Sequence, residues 1–342
     1  MKELKYQFSK REVTYYLDAE FSYLENLVER NNTVLILDEN VAGYHKEKLE
    51  GWKTIVIPPG EAYKQQSTVD SIIHQLIKIG ADRKTFLVGV GGGVITDMTG
   101  YVASVYMRGV QFGFVPTTLL SMVDASIGGK NGVDIGIYKN LVGTINQPKF
   151  ILFDYSLLQT LPEAEWVNGC AEMIKHGCIK DAGLFQLLEE NNLSSIQSNA
   201  SLFASVIERN VTIKSDVVKN DEFENGERRL LNFGHTLAHA IENNYQLSHG
   251  QAVSIGMVVA AAISETINRF SAGDKARLIK VLQQYQLPVQ FSYNKEKAFE
   301  TLVMDKKRSG NAMNYVLLKS IGEAEVKSIP LEQLKELLLQ TN

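Results

Sequence analysis

The chain has 342 residues, 44% hydrophobic and 22% charged, with 26 Gly, 7 Pro and a formal net charge of −4. At roughly 100–200 residues per domain this length suggests two domains, and the composition excludes a disordered chain, a collagen and a general polyanion binder. Two cysteines cannot build a disulfide framework and the N-terminus has no apolar signal block, so the expectation is a cytoplasmic protein of a reducing compartment.

Residues 13–17 (VTYYL) read as a strand and 19–30 (AEFSYLENLVER) as a helix. Strands follow at 33–38 (TVLILD) and 53–58 (KTIVIP), a helix at 67–80, and further strands at 85–90 (TFLVGV), 111–118 and 150–154. Strands alternating with helices of this length predict a parallel sheet covered by helices. From about residue 163 to 287 the apolar spacing is nearly all helical, and a hairpin at 313–329 precedes a final helix from Pro330. The expected division is an α/β domain over 1–160 and a mostly α-helical domain over 161–342. A cleft between the two is the expected place for chemistry. No window approaches the roughly 20 apolar residues of a membrane span; the best, GMVVAAAI near Met257, is short.

The loop Gly91-Gly92-Gly93, entering a helical stretch with Asp97, offers bare backbone and helix N–H groups to a phosphate, although a plain strand-to-helix turn would use the same glycines. Val94 breaks the G-x-G-x-x-G spacing and the candidate ribose carboxylate Asp38 lies upstream, which disfavours an ordinary Rossmann dehydrogenase. Thr117 and Thr118 end a strand, and Asp124 sits in an apolar run where an unpaired carboxylate would be costly. Lys130, Lys139 and Asn140 stand in glycine-rich segments, suited to an anion. Three of the six His, His235, His239 and His249, fall within fifteen positions, and Glu172 shares a helix face with Lys175. Two imidazoles and a carboxylate form a catalytic zinc set, though such pairs also occur as satisfied core residues. His176 is expected off that face, and His45 and His74 on the surface. Lys214, Arg228, Asn232, Lys306 and Lys307 concentrate cations and amides, which implies a small anionic ligand rather than a nucleic-acid groove. Cys170 and Cys178 read as core fillers.

Taken together, GVGGGVITDMTGYVASVYMRG, VPTTLLSMVDASIGGKNGV, YKN, AEMIKHG, RLLNFGHTLAHAIE, HGQAVSIGM and MDKKRSG resemble, in order and along nearly the whole chain, the 3-dehydroquinate synthase family of sugar phosphate cyclases. That resemblance implies a Rossmann-like α/β N-terminal domain binding NAD⁺, a helical metal-binding C-terminal domain with Zn²⁺ or Co²⁺, and a homodimer. By matching position, Glu172, His235 and His249 resemble metal ligands. Asp38, Glu61, Lys64, Gly92, Gly93, Asp97, Thr117, Thr118, Lys139 and Thr160 resemble NAD contacts, with Lys130 at their border. Asp124, Lys130, Asn140, Lys175, Lys214, Arg228, Asn232, His239 and Lys306 resemble the substrate surround, and Arg108 an arginine that reaches the partner subunit's substrate phosphate. Lys306 and Lys307 are both open as the substrate lysine, Lys306 being favoured. The implied reaction takes 3-deoxy-D-arabino-heptulosonate 7-phosphate to 3-dehydroquinate and phosphate, a step toward aromatic amino acids. Asn131, Pro59 and the Asp134-Ile135-Gly136 stretch depart from the family's usual residues, which leaves the shape of 131–138 open. The alternatives are a cyclase for a sugar phosphate lacking the carboxylate, a metal-dependent NAD polyol dehydrogenase, and a non-enzymatic metabolite-binding regulator.

Overall fold

The computed structural model describes residues 1–136, 138–242, 244–303 and 308–341. It divides into two compact units, Met1–Trp166 and Val167–Asn342, so the division falls inside the helix Glu163–Lys180.

The first unit is built on a seven-stranded sheet. Its strands are β1 (Lys2–Gln7), β2 (Glu12–Leu17), β3 (Thr33–Asp38), β4 (Lys53–Ile57), β5 (Phe86–Gly91), β6 (Gln111–Pro116) and, after the hairpin strands β7 (Lys130–Ile135) and β8 (Tyr138–Ile145), β9 (Phe150–Phe153). The order is β1-β2-β9-β6-β5-β3-β4. Every pairing is parallel except β1 with β2, which is antiparallel at the edge. β5 is buried at all six positions, the run of apolar residues that a strand covered on both faces requires. The helices Gln66–Lys78 and Gly93–Val105 follow β4 and β5.

One expected element is corrected and two segments gain a structure. The 19–30 stretch does not form one helix: it breaks into a 3-10 turn at Phe21–Tyr23, an α turn at Leu24–Leu27 and a second 3-10 turn at Arg30–Asn32. Tertiary contacts override its helical spacing, because the Phe21 N–H donates to Asp154 (2.9 Å) and Phe21 and Leu24 are drawn into the sheet's core. The N-terminal segment, read only for its lack of a signal, forms the edge strand β1. The glycine-rich 130–145 segment, whose shape the sequence leaves open, is an antiparallel hairpin pairing Lys130 with Ile145 and Gly132 with Gly143. Its close pairing explains Asn131: the buried side chain lies against Gly100 of the Gly93–Val105 helix and donates to the Gly129 (2.8 Å) and Asn146 (2.9 Å) carbonyls.

The second unit is mainly helical, with Ala182–Glu190, Ala200–Asn220, His235–Glu242, His249–Asn268, Ala272–Gln284, Lys295–Val303 and Leu331–Gln340. A small antiparallel sheet of β10 (Arg308–Ser309), β11 (Ala312–Ser320) and β12 (Glu323–Pro330) supplies the expected hairpin. One expectation about membranes changes. By length and composition His249–Asn268 could cross a membrane, because Ala252, Val253 and Ile255 extend the apolar stretch beyond the short GMVVAAAI run, but 67% of its apolar window is buried inside the protein, as in a core helix.

Candidate metal and cofactor sites

In the first unit, sheet order does what chain order hides. Leu37 pairs with Val90 and Gly91 with Pro116, so Asp38, the Gly91–Gly93 turn and Thr117 stand in a row at the carboxyl edge of β3, β5 and β6. Asp38, upstream in sequence, is thereby a neighbour of the glycine turn, and its Oδ1 caps the helix Glu39–Tyr44 by accepting from the Val41 N–H (3.0 Å). The Thr117 N–H donates to the Gly91 carbonyl (3.0 Å). A Cβ at Gly91 would meet Ile95 at 2.5 Å, so only glycine lets the strand turn into the following helix here. What remains above the turn is bare backbone and the positive end of a helix dipole, the arrangement that suits a phosphate.

Beside this turn Lys64 is buried and donates to Asp97 Oδ2 and Asn140 Oδ1, both at 2.6 Å. Burial alone would lower its pKa, but the carboxylates of Asp97, Glu61 and Asp134 outweigh that and hold the ammonium charged. Asn140 adopts φ +52° and its N–H donates to Asp134 Oδ1 (2.7 Å), while the Asp134 N–H donates to the Lys64 carbonyl (2.8 Å). Lys139 lies 3.9 Å from Glu61. The hairpin is thus laced to the Glu61–Lys64 turn through polar groups that carry a fixed pattern of donors and acceptors.

In the second unit three side chains converge. Glu172 projects from Glu163–Lys180, His235 opens the helix His235–Glu242, and His249 opens His249–Asn268. The position of His249 follows from local sequence: Ser248 and Gln251 form a capping box that starts the helix there. One ligand atom from each residue lies within 4.8 Å of the others. Glu172 Oε1 is 3.4 Å from His235 Nε2 and 3.1 Å from His249 Nε2. Glu172 is fully buried and ion-paired with Lys175; burial opposes its ionisation, but Lys175 and the two imidazoles outweigh burial and keep it ionised.

The protonation pattern tests whether a cation fits. His235 Nδ1 is 3.1 Å from the Phe233 carbonyl, which can only accept, so Nδ1 carries the proton. Burial lowers the pKa of His235, so its ring is neutral and its Nε2 lone pair faces a carboxylate oxygen. Two electron-rich atoms so close are relieved by a positive charge between them, and two imidazole nitrogens with one carboxylate are what a catalytic Zn²⁺ takes. Burial also works to lower His249, but the carboxylate of Glu172, hydrogen bonded to Nε2, and that of Glu242 prevail and raise it to about 9. In the metal-free protein a proton on His249 supplies the missing positive charge.

The cations expected around an anionic ligand divide. Lys214, on Ala200–Asn220, and Arg228, in the turn Glu227–Asn232, are buried. Asp221 accepts from the N–H groups of Asn225 (2.9 Å), Gly226 (2.7 Å) and Arg228 (3.0 Å), which shapes the turn that carries Arg228. Asn232 donates to Glu224 (2.7 Å), and the His239 ring packs edge-on to His235 with centroids 5.8 Å apart.

Family models place the chain. Residues 54–168 match the 3-dehydroquinate synthase N-terminal model and residues 169–308 the 3-dehydroquinate synthase C-terminal model. This chain belongs to the 3-dehydroquinate synthase family. Curated relatives named 3-dehydroquinate synthase include that of Campylobacter concisus, 39% identical over 89% of this chain and 90% of the relative, and that of Coxiella burnetii, 40% identical over 89% and 88%. Among solved structures, a 2-epi-5-epi-valiolone synthase of Streptomyces hygroscopicus with NAD⁺ and Zn²⁺ bound superposes with a TM-score of 0.87 at 27% identity, covering 99% of this chain and 97% of that one. A 2-deoxy-scyllo-inosose synthase shares the fold, with a TM-score of 0.85 at 24% identity over 98% and 99%. A glycerol dehydrogenase of Schizosaccharomyces pombe is more distant, at 0.63 and 15% over 95% and 88%.

Within the family's residue pattern, the structure joins Glu172, His235 and His249 in one cluster and Lys64, Asp97, Asn140, Glu61 and Lys139 in another. Asn140, matched to the substrate surround, is hydrogen bonded to Lys64 of the NAD set, so those two sets meet in the hairpin. Asp124 is half-buried in a π turn at Ser121–Ala125, and Lys130 is exposed at the start of β7. Thr160 hydrogen bonds to the half-buried His45 (3.0 Å). Arg108 is exposed beyond the far end of the Gly93–Val105 helix, which puts it ~20 Å from the glycine turn at 1.5 Å per residue. Lys306 and Lys307 lie outside the described residues. His176 is not turned away from the Glu172 face: it is fully buried, four residues on, with Nδ1 2.9 Å from Asn210 Oδ1. Sequence reasoning missed Glu242, Asp134 and Asp221, whose partners are set by folding; for Glu242 the helical spacing of seven from His235 was a usable signal.

Proposed function

We propose that this chain is a 3-dehydroquinate synthase, converting 3-deoxy-D-arabino-heptulosonate 7-phosphate to 3-dehydroquinate and inorganic phosphate with recycled NAD⁺ and a divalent metal, Zn²⁺ or Co²⁺. The observation that carries the reading is the meeting of Glu172, His235 and His249 with their ligand atoms within 4.8 Å, in a chain whose relatives near 40% identity bear that name. Those three residues hold the metal. Bound in place, the cation supplies acidification of a coordinated hydroxyl, and the nicotinamide supplies a hydride acceptor that is restored at the end of the cycle.

In this reading the α/β unit is the nucleotide domain and the helical unit the metal and substrate domain. Asp38 takes ribose hydroxyls, the Gly92-Gly93 backbone the pyrophosphate, and Lys64, held charged by Asp97, orients the cofactor with Glu61, Thr117, Thr118, Lys139 and Thr160. The buried cations Lys214 and Arg228, with Lys306, hold the substrate carboxylate, since a buried guanidinium pairs with a carboxylate in two-point geometry. Lys130 and Asn140 steady the phosphate, Asp124 the sugar hydroxyls, and His239 and Asn232 hold or relay protons. Lys175 keeps Glu172 ionised and so available to the metal. Arg108, exposed and remote from its own glycine turn, serves a second copy in a cytoplasmic homodimer. Elimination of phosphate and ring closure proceed in a site that fixes the intermediate and excludes water.

A phosphate-release assay on the heptulosonate with NAD⁺ decides. Stoichiometric release that stops on chelation, with no growth of NADH absorbance, is expected. NADH accumulation without phosphate release would point instead to a polyol dehydrogenase, and turnover of sedoheptulose 7-phosphate alone to a cyclase for neutral-ended sugars.

A further inference from the structure

We infer that Glu242 is a positioning residue that orients His249 and thereby sets the affinity of the metal site; the inference rests on the reading that Glu172, His235 and His249 hold a divalent cation. Glu242 ends the helix that His235 begins, and seven residues return it to the same face. Its side chain is 8% exposed. A carboxylate there is disfavoured twice, by desolvation and by the negative end of the helix dipole. One compensating partner is His249: Glu242 Oε2 lies 3.9 Å from Nδ1, while Nε2 of the same ring lies 3.1 Å from Glu172. The imidazole thus stands between two carboxylates. The negative charge of the outer one, 3.9 Å away, favours the proton on Nδ1, which leaves the Nε2 lone pair directed at the cation site. His235 is arranged the same way, except that its Nδ1 proton goes to the backbone carbonyl of Phe233. One imidazole is therefore oriented by main chain and the other by a side chain.

The test is Zn²⁺ affinity, measured without substrate by competition with a chromophoric chelator, together with the ligand-field spectrum of the Co²⁺ form. Outer-shell partners of this kind are worth about 10–100-fold in metal affinity. Glu242→Ala should weaken binding by that order and alter the Co²⁺ spectrum. Glu242→Gln, which keeps an oxygen of partial negative charge facing Nδ1 but loses the full charge, should fall between it and the wild type. A folded Glu242→Ala protein with wild-type affinity and spectrum overturns the inference. If that variant does not fold, Glu242→Gln decides, since unchanged affinity there overturns it too. Failure of the wild type to bind Zn²⁺, or wild-type binding by Glu172→Ala, would instead sink the metal-site reading itself.

Discussion

At the scale of single residues, charge placement governs both candidate sites. Glu172→Ala removes the one carboxylate both imidazoles face and the carboxylate that pairs with buried Lys175; metal content and phosphate release should vanish together in a protein of lowered Tm. Lys64→Ala removes the ammonium that pairs with Asp97, which is 17% exposed. A fall in Tm should therefore accompany weaker NAD⁺ binding, while Zn²⁺ affinity stays unchanged. Asp154 supplies the pH dependence. Burial would raise its carboxyl, but Ser156, Lys48 and the Phe21 N–H prevail and hold it below the usual range. A depressed folded-state value stabilises the protein above the unfolded pKa of about 3.9 and loses that contribution as pH falls through the folded value. Asp154→Asn should therefore destabilise near neutrality and flatten the acid limb of a Tm-against-pH curve.

At the scale of elements, close approach of two helices aims the imidazoles. Gly234, at φ +80°, ends the chain segment before His235, and a Cβ added at Gly256 of the His249–Asn268 helix would run into the Gly234 carbonyl. Gly256→Ala must push the two histidine-bearing helices apart. Overpacking of this kind costs about 1–3 kcal/mol, and the expected signature is a loss of Zn²⁺ affinity with NAD⁺ binding intact, read by parallel titrations. The hairpin β7–β8 shows the converse case, where glycine-rich chain pairs tightly because Gly132 and Gly143 face one another without side chains. Its composition resembles loop, and only the cross-strand pairing of its two arms makes it a pair of strands.

For the whole molecule, burial decides reactivity. Cys170 and Cys178 have no exposed surface, and burial raises both thiols far above the ordinary range. Neither should react with iodoacetamide in the native protein, and both should react in guanidinium; modification at a native pH would show that the Glu163–Lys180 helix opens locally.

Local patterns sufficed for the parallel sheet, the helical second half and the ligand types, because alternation, helical spacing and residue chemistry are properties of neighbours along the chain. So Glu172, His235 and His249 were legible as candidates, and so was the glycine turn. Their convergence was not, nor was the placing of Asp38 beside that turn, the breaking of the 19–30 helix, the burial of His176 or the approach of Glu242 to His249. Each depends on which strand lies next to which and which helix ends meet. Those are settled by long-range packing and by where buried charges find partners, which no short stretch of sequence contains.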